Sequence, residues 1–233
     1  MVTTAVLKVL STHAAMDVLD VLGPKFEQTH GCRLSCQYDP AKAVKRAIEE
    51  GTAVDVAIVT KAVFDDLVSQ GKLLAAPRGA VGRSGLGLSV RQDAAKPDIS
   101  TTESFRRTLL AARSVARSVE GTSGIYFDQL IGRLGIAEQM RDKIVLAPSG
   151  RVAELIARGE AELAVQQVPE LLPVTGAQYV GPFPPELQLY SDFVAGVTTD
   201  GKQRDLAAAF VKLLVTPEAG ALFKSAGIEP AAT

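Results

Sequence analysis

The sequence predicts an α/β fold in two similar lobes, each a mostly parallel sheet with flanking helices, joined by two hinge crossings. Three observations lead there. Residues 6–69 alternate apolar, β-rich runs with amphipathic helical stripes in the order β-α-β-α-β, a succession that builds an open parallel sheet covered on both faces. A Gly- and Pro-rich stretch at 76–101 breaks that rhythm, and the same alternation restarts after it. The 233 residues suffice for one large domain or two small lobes.

In chain order, VLKVLS (6–11) is the first strand. Residues 14–29 form a helix with Met16, Leu19, Leu22 and Phe26 on one stripe, a kink expected at Pro24, and Gly31 beyond its end. RLSCQY (33–38) is the second strand. Pro40 suits the first turn of the next helix, whose stripe is Ala43, Val44, Ala47 and Ile48 and whose stop is Gly51. VDVAIVT (54–60) is the nearly continuous apolar run of a parallel strand buried on both faces, and a short helix follows at 61–69.

Within the Gly/Pro-rich stretch only LGLSV (86–90) reads as a strand, so the lobe boundary is placed there. Ser100 and Glu103 make an S-x-x-E capping box for a helix reaching about residue 112. Then come a strand at 114–119, a helix opened by EGTSGIYFDQLIGRL (120–134), a strand in DKIVLAP, a helix at 150–160 ended by Gly159, and a strand at 161–167 before Pro169. Residues 177–184 and 189–198 are extended. Two helices, 202–215 and 217–226, meet at Thr216-Pro217, with Thr216 as N-cap. They are too little for a third domain and are assigned to the first lobe. The expected lobes are therefore 1–84 with 192–233, and 85–191, with crossings near 82–90 and 189–197 that allow closure around a ligand.

Composition narrows the function. Hydrophobic residues make up 47% and charged residues 22%, with no apolar run of membrane-spanning length, so the chain is not membrane-embedded. A net charge of −1 provides no field for nucleic acid. Trp is absent and aromatics are 5%, which argues against stacking platforms for sugars or bases. MVTTAVLKVLSTHAAM lacks a basic n-region and Lys8 interrupts its apolar run. With this N-terminus native the chain is cytoplasmic; with a leader removed ahead of it, periplasmic. Cys32 and Cys36, if on one strand, stand about 13 Å apart at roughly 3.3 Å per residue, too far for a disulfide. They read as thiols on one face. With His13 and His30 the only histidines, no metal site or cofactor is expected.

In open parallel sheets ligands bind beyond the carboxyl ends of the strands. Those positions are Ser11-Thr12-His13-Ala14, Asp39-Pro40-Ala41-Lys42 and Thr60-Lys61. The small residues Gly121, Thr122, Ser123 and Gly124 at the mouth of a helix suit either a cap or a bound anion. No Ser-His-Asp constellation, phosphate loop or dinucleotide Gly pattern stands in strand-to-helix context. GRSGLG (82–87) enters a strand and not a helix.

Four segments carry a family resemblance: VLSTHAAMDVLDVLGPKFEQTHG, AIEEGTAVDVAIVT, SGIYFDQLIGRLGI and RVAELIARGEAELAVQQ. In their order and spacing, nearly the whole chain resembles the type 2 periplasmic binding proteins, specifically the molybdate-binding components of ABC transporters. The resemblance implies a tetrahedral oxyanion held by two serines near the first two strand ends, by amides at helix starts and by one tyrosine. Carried across, the serines fall at Ala14 and at Ala41 or Lys42, the tyrosine at Gln167, and the amides near Ser123, Gly124, Ile125 and Val152. Three side-chain positions depart from that pattern, so the implied ligand is an anion other than molybdate.

Lys42, Arg83, Arg117 and Arg151 adjoin the predicted cleft, and arginine pairs bidentately with carboxylates. The ordinary reading of any one of them is a solvated surface charge. Together they point to a small di- or tricarboxylate. Strand alternation turns one of Gln166 and Gln167 to the cleft, and Gln167 is preferred. Ser123 reads as a plain cap or a ligand group, and Tyr126 as a cleft hydroxyl or a packing residue.

The expected function is capture of a small anion in an interlobe cleft, with an ABC permease as partner if the chain is exported. The alternative is an isomerase, since some proteins similar to this family are aconitate isomerases. His13 would then be the base, Tyr126 or Asp39 its partner, and Arg117, Arg151 and Lys42 the groups holding carboxylates.

Overall fold

The structure is a computed structural model that describes residues 4–148 and 150–230; the first three residues of the N-terminal stretch read for a leader lie outside them. The chain divides into two units, Met1–Arg83 with Ser191–Thr233, and Ser84–Tyr190.

The first unit opens with β1 (Val6–Ser11), a 3-10 turn (His13–Ala15), α1 (Met16–His30), β2 (Arg33–Tyr38), α2 (Ala41–Glu49), β3 (Val56–Thr60), α3 (Lys61–Ser69) and β4 (Leu73–Ser84). The second unit holds β5 (Leu86–Arg91), α4 (Thr102–Ala111), β6 (Val115–Ser118), α5 (Thr122–Arg133), α6 (Ala137–Met140), β7 (Ile144–Ala147), α7 (Ala153–Ala157), β8 (Leu163–Gln167), α8 (Val168–Leu171) and β9 (Ala177–Pro182). The chain then returns to the first unit with β10 (Ser191–Thr198), α9 (Arg204–Leu213) and α10 (Pro217–Ser225). No single helix among the described residues is long and apolar enough to cross a membrane.

The two sheets repeat one plan. In the first the order is β2-β1-β3-β10-β4, and in the second β7-β6-β8-β5-β9. β1 lies parallel between β2 and β3, and β10 runs antiparallel to β3 with Phe193 opposite Thr60. Likewise β6 lies parallel between β7 and β8, and β5 runs antiparallel to β8 with Leu86 opposite Gln167. In each sheet the antiparallel strand is the one that follows a passage between units.

Helices cover both faces of each sheet, as its apolar strands require. β3 is buried along its whole length. One face of the first sheet packs against α1, α9 and α10, with Phe26 and Phe210 edge to face at 4.9 Å. The other packs against α2 and α3 through Val44, Ile48, Phe64 and Leu67. In the second unit Phe105, Leu109, Phe127 and Leu130 fill one side and Val152, Ile156, Ala164 and Leu171 the other. Asp55, buried just before β3, laces the first unit together: its carboxylate accepts from the amides of Lys8 at 2.9 Å, Lys202 at 2.8 Å and Gln203 at 3.0 Å.

Several local expectations change. β4 runs twelve residues through Pro77, Gly79 and Gly82, where the sequence suggested a boundary loop. It lies at the edge of its sheet, where proline's missing N–H is tolerated. The capping box belongs to Thr101 and Ser104, not Ser100 and Glu103: the Ser104 amide donates to Thr101 Oγ1 at 3.1 Å, while Ser100 turns to Asp98. α1 continues unbroken through Pro24, and α7 is only Ala153–Ala157. Thr216 does cap α10, accepting from the Ala219 amide.

Candidate functional site

In the first unit three strand ends are laced by backbone bonds, Thr12 N–H to Ile58 at 3.0 Å and Asp39 N–H to Ser11 at 3.0 Å. Ser11 is fully buried and spends its hydroxyl on the Thr12 carbonyl at 2.9 Å. The Thr12 hydroxyl is buried with no hydrogen-bond partner among the described residues. His13 follows in the 3-10 turn, 8% exposed, its ring 6.5 Å from that of Tyr38 at the end of β2. Burial first, and then the neighbouring Cys36, push the Tyr38 phenol up, so it stays protonated. Ala14 and Ala41 are buried at their helix starts, while Lys42 is exposed on the first turn of α2.

In the second unit the glycines at the mouth of α5 have a steric cause. A Cβ on Gly124 would lie 1.8 Å from the Ser118 carbonyl oxygen, and one on Gly121 would lie 2.4 Å from Ser118 Oγ. The helix therefore starts directly against the end of β6. The Ser118 hydroxyl is buried there with no hydrogen-bond partner among the described residues. Gly121 is the N-cap and offers no side chain, so Ser123, buried in the first turn, is not the cap. The Ile125 amide donates to the Gly121 carbonyl at 3.2 Å and is used by the helix itself. The amides of Thr122, Ser123 and Gly124 precede that first intrahelical donor and have no acceptor within the helix.

Among the described residues hydroxyls cap α4 and α10, and no side chain caps the other helix starts, those after β1, β2, β3 and β6 among them. The helix starts that follow strand carboxyl ends thus keep donors and partial positive charge in hand.

The start of α7 differs. The Val152 amide, expected to face ligand, donates to Gln166 Oε1 at 2.7 Å. Gln166 Nε2 in turn donates to the Gly150 carbonyl and the Glu170 carboxyl. Burial pushes the Glu170 carboxyl up to about 8, with the Arg151 charge opposing. Gln167, the glutamine preferred from strand alternation, is buried at the end of β8.

The other expected site residues are placed as follows. Arg117 is tied to Asp128 at 2.7 Å and to the Ser118 carbonyl at 2.9 Å, so its charge is already matched. Arg83 stands 3.7 Å from Asp192. Tyr126 donates to the Leu187 carbonyl at 2.9 Å and accepts from Arg133 at 2.7 Å, so its hydroxyl proton is already committed. Cys32 and Cys36 are free thiols raised chiefly by burial. Among the described residues no group of three or more His, Cys, Asp or Glu could hold a metal ion. Sequence reasoning missed Ser118, at the end of β6, and Glu170, and it weighed Gln166 only as the alternative to Gln167; Gln166 of β8 meets Glu170 of α8 four residues on.

The sequence model of the family described as bacterial extracellular solute-binding proteins matches residues 7–229. A protein named aconitate isomerase from Pseudomonas sp is 29% identical over 230 residues, 96% of this chain and 87% of the relative. Among solved structures, the periplasmic molybdate-binding protein of Azotobacter vinelandii matches with a TM-score of 0.81 at 22% identity, covering 97% of this chain and 100% of its own. The sulfate-binding protein of Mycobacterium tuberculosis matches at 0.77 and 16% identity, covering 97% and 87%. With the two sheets described above, these likenesses establish the type 2 periplasmic binding protein fold.

Proposed function

The chain belongs to the bacterial extracellular solute-binding protein family, and on that premise we propose that it captures a small organic anion, a di- or tricarboxylate, at the carboxyl ends of its strands. The observation that carries this reading is the pairing of uncapped helix starts with buried, unpartnered hydroxyls: Thr12 ahead of the 3-10 turn and Ser118 against α5. Buried polar groups left without partners are costly unless a ligand supplies one. The amides of Thr122, Ser123 and Gly124 with Ser118 Oγ form a cradle for one carboxylate. Lys42, exposed on the first turn of α2, adds a long-range charge. The resemblance to molybdate binders puts Ala14, Ala41 or Lys42, and Gln167 at the positions of their hydroxyls, and that departure favours a ligand that relies on amides and charge. As a solute-binding protein it would hand this ligand to an ABC permease.

A thermal-shift panel of citrate, malate, cis- and trans-aconitate, molybdate and sulfate tests the reading. A ligand at a hundredfold its Kd adds about 2.7 kcal/mol, or about 5–10 °C in a chain of this size. The carboxylates are expected to give that shift. A shift with molybdate alone would remove the carboxylate assignment.

The 29% identity to an aconitate isomerase favours a second reading, turnover of the bound acid. His13 would take a proton from the methylene carbon next to the double bond, the double bond would move one carbon, and the proton would return at the far carbon. Ultraviolet absorbance would then follow interconversion of cis- and trans-aconitate. His13→Gln is expected to lower that rate by about 100-fold or more while leaving the thermal shift in place. No interconversion by the native protein would leave binding as the whole function.

A further inference from the structure

We propose that the second unit holds a further ligand site, separate from the strand carboxyl ends: a pocket for a small monocarboxylate with an apolar body, whose carboxylate is recognised by Arg107. The pocket has a volume of about 360 Å³, within the range of small-molecule sites. Val90, Ala112 and Leu163 line it and are all buried. Val90 of β5 stands opposite Leu163, the first residue of β8, and Ala112 precedes β6. The pocket therefore lies where β6 and β8 begin, and Ser118 lies where β6 ends. Ala94, Ala95 and Pro97 complete the lining from the loop between β5 and α4. That loop is held at both ends. Gln178 Nε2 donates to the carbonyls of Arg91 at 3.2 Å, Gln92 at 3.0 Å and Ala94 at 2.6 Å, and Thr108 Oγ1 donates to the Asp98 carbonyl at 3.0 Å. The pocket is thus formed before any ligand enters, which spares the ordering cost of binding.

The charges around the pocket set the class of ligand. Glu162 is the acid in its lining, and it is already engaged, accepting from the Arg113 amide at 2.9 Å and from Arg113 Nε at 3.1 Å. Arg107, exposed on α4, is the cation in the lining, and among the described residues it makes no hydrogen bond or ion pair. Asp98 feels Arg107 as a nearby charge, but its carboxylate accepts from the Ser100 amide at 2.9 Å and the Ser100 hydroxyl at 2.7 Å. One uncommitted guanidinium beside a buried apolar lining matches one carboxylate on a hydrocarbon body. A tricarboxylate would bring three charges to a single cation and set the others against Glu162 and the apolar lining.

The experiment is titration of the isotope-labelled native protein and of Arg107→Gln with hexanoate and with acetate at pH 7, followed by the backbone amide resonances in NMR. Hexanoate is expected to move the amides of Ala94, Ala95, Thr108, Ala111, Ala112 and Leu163 with a Kd on the order of 1 mM. Acetate, which lacks the apolar body, should bind at least about tenfold more weakly. Arg107→Gln keeps a good helix former at an exposed position, so it should melt with the native protein while its Kd for hexanoate rises about tenfold. An unchanged Kd in that variant would overturn recognition of the carboxylate by Arg107. Equal affinity for acetate and hexanoate would overturn the apolar pocket. Hexanoate that moves no amide of this group, or moves only those near Thr12 and Ser118, would overturn the second site and leave the strand-end site to its own test.

Discussion

Gly124→Ala is expected to lower the melting temperature by about 10 °C and to abolish anion binding. The added Cβ would sit 1.8 Å from the Ser118 carbonyl oxygen and 2.8 Å from its carbon. Both are backbone atoms of β6, which is held in register by β7 and β8 on either side. Neither neighbour can rotate away, so α5 must back off the strand. Overpacking of this kind costs about 3 kcal/mol or more, and each kcal/mol lowers the melting point by about 2–4 °C in a chain of this length. Moving the helix start also moves the amides of Thr122, Ser123 and Gly124, so binding fails even in molecules that stay folded. Gly132→Ala is the internal control. It lies on the same helix, and a Cβ there meets nothing within 4 Å. It should be neutral or stabilise by up to about 1 kcal/mol. Native melting and binding in Gly124→Ala would mean that the helix start does not abut Ser118.

The second large effect lies in the first unit. Asp55→Ala strands three backbone amides, those of Lys8, Lys202 and Gln203, in a place where the carboxylate was 5% exposed. Hydrogen bonds to a charged acceptor contribute about 1.5–3 kcal/mol each, and removing one side of such a group leaves donors without water. We expect a loss of about 4 kcal/mol in urea unfolding with the slope against denaturant unchanged. Asp55→Asn keeps the oxygen that serves Lys202 and Gln203 and turns an amino group toward Lys8, so about half the loss should remain. A loss under about 1 kcal/mol for the alanine variant would mean that water replaces the carboxylate.

How far the sequence was legible depends on the range of the forces involved. β3 was readable because a strand buried on both faces must be apolar at every position, and Val56–Thr60 is buried throughout. The Thr216 cap was readable because a hydroxyl before proline meets its amide three residues on. The capping box slipped by one residue because two overlapping patterns, Ser100 with Glu103 and Thr101 with Ser104, compete locally, and Asp98 claims Ser100. β4 was missed because its Pro and Gly residues are turn signals unless the strand lies at a sheet edge, and edge position is a property of the assembled sheet.

The candidate site divides the same way. Proximity along the chain pointed to Ser11–Ala14 after β1 and to the glycine-rich mouth of α5. What those glycines are for, and which polar groups are already spent, came only from packing. Arg117 is matched by Asp128, eleven positions on in sequence, and the Tyr126 hydroxyl by the Leu187 carbonyl. The Val152 amide is taken by Gln166, and Gln166 leads to Glu170.

By itself the sequence determined the α/β alternation, the two-part plan and the strand ends where an anion could rest, because periodicity and helix polarity are local properties of the chain. The tertiary structure alone decided which donors remain open there. Hydrogen bonds and ion pairs saturate, and whether a group such as Ser118 Oγ is left over depends on every neighbour the fold brings to it.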